Sequence, residues 1–220
     1  MTRFAQSAAL AALLSLGGAS AAMAQPALPP DASPEGSTPI LPAPPPPAAP
    51  PPADAPSTAD QGKAVDGLLE RLAKTEDPAA ARRIAGAVQA LWMRSGSDTA
   101  DLLTSRALEA QRKAKADVAI KLMDRVVSLR PQFAEGWNRR ATLHFLGKDY
   151  DRAMMDLHEA LVREPRHFGA WLGLGRILRE SGLDKPALGA FRKALAIHPQ
   201  IDGLKREVDE LTLKVEGQPI

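Results

Sequence analysis

Four histidines are the first side chains of this 220-residue chain that could act as general bases or metal ligands. His158-Glu159-Ala160-Leu161-Val162 opens like the zinc-protease helix motif, where two histidines four apart grip the metal and the glutamate activates water. The fifth position is Val162, so the second ligand is missing. His144, His158, His167 and His198 fall on different helices and turns, at intervals that make no ligand set. Gly173-Leu174-Gly175 lacks the third glycine and the preceding strand of a dinucleotide-binding turn. No serine stands in a nucleophile elbow, and without cysteine there is no thiol catalysis. No metal, cofactor or catalytic residue is expected, and the function must come from a surface.

The elements that would position such a surface repeat. Proline recurs at Pro131, Pro165 and Pro199, at intervals of 34 residues. Trp137 is matched by Trp171, Ala141 by Gly175, Ala153 by Ala187 and Ala160 by Ala194, and Leu103, Ala107 and Ala119 stand one step earlier. A 34-residue period with this content marks a two-helix repeat that stacks on its neighbours. Apolar spacing predicts helix pairs at about 98–113 with 116–129, 134–146 with 150–163, and 168–181 with 184–197. Small residues (Ala107, Ala141, Gly175; Ala119, Ala153, Ala187) sit where paired helices come close, and Met123, Leu157 and Phe191 fill the space beside them. Proline ends the second helix of each pair. Two helices are expected earlier, ending near Thr75 and Met93, with Asp77-Pro78 and Ser95-Gly96-Ser97-Asp98 as stop and cap signals. A last helix, from about Ile201 to Val215, is apolar on one face through Leu204, Val208 and Leu211 and reads as a cap.

These landmarks resemble the tetratricopeptide repeat family: a large residue, then a small one, an alanine in the second helix and a closing proline. The resemblance covers about residues 100–199 in three units and is poor over 66–99, where Gln89 and Ser97 replace the expected aromatic and proline. That segment is a degenerate repeat or an N-terminal helical hairpin. The resemblance implies an all-α, right-handed α-solenoid of helix-turn-helix pairs with a C-terminal capping helix. It further implies a concave groove lined by the first helix of each pair, which commonly receives an extended peptide or a partner's helix. Carried over, the groove stripe is Thr104, Ser105, Leu108, Gln111 and Arg112, then Asn138, Arg139, Thr142, Phe145 and Leu146, then Leu172, Gly173, Arg176, Arg179 and Glu180. The candidate partner-binding residues are Arg112, Asn138, Arg139, Thr142, Phe145, Arg176 and Arg179. Four arginines against one glutamate suit an acidic peptide or a terminal carboxylate. The asparagine-and-lysine arrangement of chaperone-tail-binding members is not reproduced. Arg106 and Arg140 depart from the family, which has an apolar residue there, as in Leu174. Either their stems pack at the edge of the stack or their helices are rotated.

Outside the repeats, the expected organisation is a signal peptide over 1–24, a disordered proline-rich linker over 25–61, the hairpin over 62–97, repeats over 98–199 and the cap over 200–216. The signal reading rests on Arg3, the short apolar run Ala8 to Leu16, and the small-x-small site Ala22-Met23-Ala24. Fourteen of the twenty prolines lie between Pro26 and Pro56, which favours extended polyproline II. Residues 61–220 carry 27 basic against 22 acidic side chains, a bias too weak and too interspersed to argue nucleic-acid binding. No membrane span is expected once the signal is removed. The leading expectation is a non-catalytic periplasmic module, or one secreted further, that binds a protein or peptide in its groove. Alternatives are a self-assembling component of an envelope complex, and a degenerate enzyme or regulator of envelope enzymes hidden in 61–99.

Overall fold

A computed structural model describes residues 58–217; the signal peptide expected over 1–24 and most of the proline-rich linker lie outside the described residues. Those residues form nine helices: α1 (Thr58–Lys74), α2 (Pro78–Trp92), α3 (Asp98–Arg112), α4 (Ala116–Leu129), α5 (Ala134–Leu146), α6 (Tyr150–Arg163), α7 (Phe168–Glu180), α8 (Asp184–Ile197) and α9 (Leu204–Glu216). α3–α4, α5–α6 and α7–α8 are the three pairs of the 34-residue period, each stacked on the next, and α9 covers α8. No described helix is long and apolar enough to cross a membrane. Two boundaries differ from those read in the sequence. α1 starts at Thr58, inside the stretch assigned to the linker, because helix-breaking proline ends at Pro56. The Gln61 side-chain amide, in the first turns of α1, donates to the Leu91 carbonyl at 2.7 Å and ties this start to the end of α2. α9 starts only at Leu204, because Gly203 before it is left-handed, at φ 73°.

The period is held by contacts that recur. The indole of Trp137 donates to the carbonyl of Pro131 at 2.9 Å, and that of Trp171 to Pro165 at 2.8 Å. Each landmark tryptophan therefore grips the closing proline of the previous pair. The turn inside every pair reverses through one left-handed residue: Ala114, Lys148 and Gly182, at φ 55°, 58° and 74°. The same closing bond follows each time, from the amides of Lys115, Asp149 and Leu183 to the carbonyls of Ala110, His144 and Leu178. Between paired helices, Ala119, Met123, Ala153, Leu157, Ala187 and Phe191 are buried against the small residues opposite. The tightest of these approaches is in the third pair, where a Cβ on Gly175 would overlap the Phe191 ring.

The first pair of helices does not extend this stack. α2 makes no substantial packing with α3; α1 packs against α8 instead. Val65, Leu69, Leu72, Val88 and Trp92 form one buried cluster with Phe168 at the start of α7, and Ile197 packs against it from the end of α8. The hairpin thus lies along the turns that join the repeats. The residue types on α3 agree. Leu143 and Ile177 are buried, but the equivalent residue of α3 is Glu109, exposed and paired with Lys113 at 2.6 Å. A charged side chain there suits an end of the stack facing water.

Gly175→Ala is expected to cost about 1–3 kcal/mol through overpacking against Phe191, although alanine is the better helix former by about 1 kcal/mol. Urea denaturation followed by circular dichroism checks it. An unchanged or raised midpoint would show that the α7–α8 approach is not limiting.

Candidate functional site

α3, α5 and α7 present one face each to the inner side of the stack, and between α5 and α7 that face opens into a pit of about 130 Å³. Ala141 and Phe145 of α5, Leu172 and Ile177 of α7 and Leu157 of α6 make its apolar wall. Asn138, Thr142 and Arg176 give it a polar rim. The pit exists because α7 carries Gly169 and Gly173 on this face, one turn apart. A Cβ on Gly173 would already meet Leu157 at 3.4 Å, so any larger side chain would occupy the space.

Of the seven candidate residues, the structure brings Asn138, Thr142, Phe145 and Arg176 together around this pit. The other three are placed differently. Arg139 is half-buried and bonded to Glu135 one turn earlier in α5, so its charge is already matched. Arg179 pairs with Glu207 of the capping helix. Arg112 is exposed at the end of α3, away from the pit. Arg112 and Arg176 make no ion pair among the described residues, so the four arginines of the stripe reduce to two uncommitted ones. Thr104 of the stripe is fully buried, with its hydroxyl donating to the Ala100 carbonyl at 2.8 Å. It supports α3 and does not reach the surface.

Beneath the rim lies a buried polar network that the sequence reading missed. The Asn138 side-chain amide donates to a Glu135 oxygen at 2.9 Å, and the same oxygen lies 2.8 Å from Nε2 of His167. Nδ1 of His167 accepts the Ala170 amide at 3.1 Å and so caps α7. This assigns the imidazole proton to Nε2, which donates to Glu135. Glu135 is only 5% exposed. Burial pushes its carboxyl up, but the bonds from His167 and Asn138 and the charge of Arg139 outweigh that and hold it below the ordinary glutamate value. The Trp92 ring stacks on His167 with centroids 4.2 Å apart, so the network reaches from the groove to the hairpin. Asn138 and Arg139 stand at helical i, i+3 and i, i+4 spacing from Glu135, the part of it visible in sequence. His167 is 32 residues further on and carries no such signal.

The arginine departures also resolve. Arg140 turns away from the groove and sits between α4 and α6, bonded to both oxygens of the buried Asp156 at 2.8 and 2.7 Å and to Asp124 at 2.8 Å. Its guanidinium lies over the Trp137 ring at 5.0 Å. α5 is therefore not rotated: an ion pair with Asp156 takes the place of an apolar contact. Arg106, on the water-facing α3, is exposed. The four histidines do not converge. His144 is buried beside Asp149 and Asp156, His158 is exposed, and His167 and His198 are buried near the hairpin.

Comparison with known proteins agrees with this geometry. The tetratricopeptide repeat model matches residues 104–163 and 156–200. A TPR repeat-containing protein of Rhizobium etli is 37% identical over 153 residues, which span 70% of this chain and 75% of that protein. The chain belongs to the tetratricopeptide repeat family. Among solved structures it is similar to the first TPR of Spaghetti bound to an HSP90 peptide, at 18% identity and TM-score 0.52, covering 55% of this chain and 95% of that one. It is also similar to the Sgt2 TPR domain of Aspergillus fumigatus, at 23% identity and TM-score 0.50, covering 56% and 87%. These likenesses show the fold of the repeats; the α1–α2 hairpin adds to it.

Glu135→Gln is expected to destabilise the chain by about 1–3 kcal/mol at neutral pH, the usual cost of weakening a buried charged hydrogen-bond acceptor. Because the native carboxyl is held low, its contribution is fully present above the ordinary glutamate range and is lost as pH falls through the lowered native value. The gap between wild type and variant, from urea denaturation, should narrow steadily towards acid. A gap independent of pH would mean that the carboxylate charge is not what the network uses.

Proposed function

We propose that this chain is a non-catalytic protein-interaction module whose α3–α5–α7 groove receives a peptide or helix of a partner protein. The observation that carries the reading is the pit between α5 and α7, of a size to hold one apolar side chain and rimmed by Asn138, Thr142 and the uncommitted Arg176. An apolar anchor entering a desolvated pocket, with polar groups fixing the backbone around it, is how compact interfaces concentrate their affinity. The partner is an apolar-anchored segment with acidic neighbours, because the cations left available in the groove are Arg112 and Arg176. The solved TPR of Spaghetti holds the HSP90 peptide SRMEEVD, itself rich in acids, and lends the reading support by analogy. The signal-like first 24 residues and the proline-rich stretch after them support a site of action outside the cytoplasm, periplasmic before secreted, with the repeats carried on a spacer.

Self-stacking is the weaker reading, since exposed charges outnumber the exposed leucines, Leu102 and Leu213, at the two ends of the repeat array. α3 offers Arg106 and Glu109 at one end, and α9 offers exposed Lys205, Arg206, Asp209 and Glu210 at the other. The hairpin residues Arg71, Lys74, Glu76, Arg82 and Arg83 are exposed, with Arg82 paired to Asp202 at 3.3 Å, and lend no support to the enzyme reading.

The test uses the full chain as bait in cell-envelope extract, beside Gly173→Leu, which fills the pit, and Arg176→Glu, which reverses the rim charge. Partners retained by wild type should be lost by Gly173→Leu and bound roughly tenfold more weakly by Arg176→Glu, the scale of one charged contact. Equal retention by all three folded chains would reject the groove as the binding surface.

A further inference from the structure

The seam between the α1–α2 hairpin and the repeats contains two imidazoles in a row of rings. Trp92 of α2 stacks on His167 and packs at 5.3 Å against Phe168, and Phe168 meets His198 edge-on at 5.3 Å and 83°. His198 caps the end of α8, is 6% exposed, and has a buried Nδ1 with no hydrogen-bond partner. Around the seam the hairpin is fastened by exposed ion pairs, Arg166 with Asp66 at 2.6 Å and Arg82 with Asp202 at 3.3 Å. Beyond α1 and α2 themselves, the buried cluster under the hairpin is closed by Phe168 and Ile197, next to His167 and His198 in the chain.

We propose that the α1–α2 hairpin is an acid-released clasp, in which protonation of His198 undocks it from α7 and α8 and uncovers the apolar face it shares with Phe168 and Ile197. A proton on His198 puts a charge in an apolar seam with no acceptor at Nδ1, the costly case for a buried ion. Burial holds this imidazole below the ordinary histidine value, and the opposing pull of Asp202 does not cancel it. The released state, with His198 in water, binds the proton more readily, so docking is unaffected above the ordinary histidine value and weakens as pH falls below it. The other charges at the seam do not remove this bias. Asp66 of α1 and Glu164 are engaged by Arg166, Asp202 is shared with Arg82 of α2, and Glu135 faces His167 from α5 with Arg139 and Asn138 already on it. Exposed, small-area ion pairs hold little of the docking energy, which leaves the rings and the apolar cluster as the main attachment.

Hydrogen exchange of the full chain, compared at about pH 7.5 and about pH 5.5, stays above the carboxylate range and spans that of histidine. After correction for intrinsic rates, α1 and α2 should lose protection at the lower pH while α5 to α8 keep theirs. His198→Gln, with helix content checked by circular dichroism, should keep α1 and α2 protected at both pH values. The imidazole resonances of His198 in the wild-type chain give a readout that needs no variant: their titration midpoint should coincide with the opening of the hairpin. Equal protection of α1 and α2 at both pH values would overturn the clasp. So would equal acid opening in folded His198→Gln, or a His198 titration separate from the opening.

Discussion

A pair of helices about thirty residues long cannot bury its apolar face alone, and the repeat array follows from how closely one pair can approach the next. That approach is set where small residues on one helix meet a large side chain on the other: Ala107 and Ala119 near Met123, Ala141 and Ala153 near Leu157, Gly175 and Ala187 under Phe191. The tryptophan-to-proline bonds and the repeated left-handed turns fix the angle at which pairs follow one another. With those fixed, α3, α5 and α7 must line one side of the stack and α4, α6 and α8 the other. The pit is a by-product of the same economy in size: the glycines that open it lie on the helix that carries Gly175.

Much of this was legible in the residues. Helix pairing and the cap could be read from a period because each repeat solves the same packing problem with the same residue types, and four of the seven candidate groove residues fall together around the pit. The placement of the first hairpin was not legible. Its apolar face, Val65, Leu69, Leu72, Val88 and Trp92, says that it must be covered, but not by what. The cover, Phe168 and Ile197, is a hundred residues further on; the departures at Gln89 and Ser97 and the charge of Glu109 on α3 mark where the regular stack begins, not where the hairpin goes. Charge pairing was legible only in part. Arg139 and Arg163 each stand four residues after a glutamate of their own helix, whereas Arg140 and Arg179 are committed by the fold to Asp156 and Glu207 of other helices. Counting arginines on a stripe overstates the charge that a ligand would meet.

Glu135 links the parts that the period does not. Its carboxylate takes the Asn138 amide at the groove rim, the His167 imidazole that caps α7, and the Arg139 guanidinium, while His167 carries the Trp92 ring of the hairpin. A buried carboxylate is tolerated only when its acceptor capacity is filled, and here it is filled from three directions. Groove, repeat junction and hairpin seam therefore share one set of hydrogen bonds. Arg140 with Asp156 plays the comparable role on the opposite face, between α4 and α6.

We propose that this protein meets its partner on the inner face of α3, α5 and α7. Amide and side-chain chemical-shift mapping on the folded chain, with a purified partner segment added stepwise, locates that contact directly. The largest changes are expected at Asn138, Phe145, Leu172, Gly173 and Arg176, with the outer faces of α4, α6 and α8 unmoved. Changes centred on Val118, Leu129, Met155 and Val162, the exposed large apolar residues of α4 and α6, with the pit silent, would contradict it.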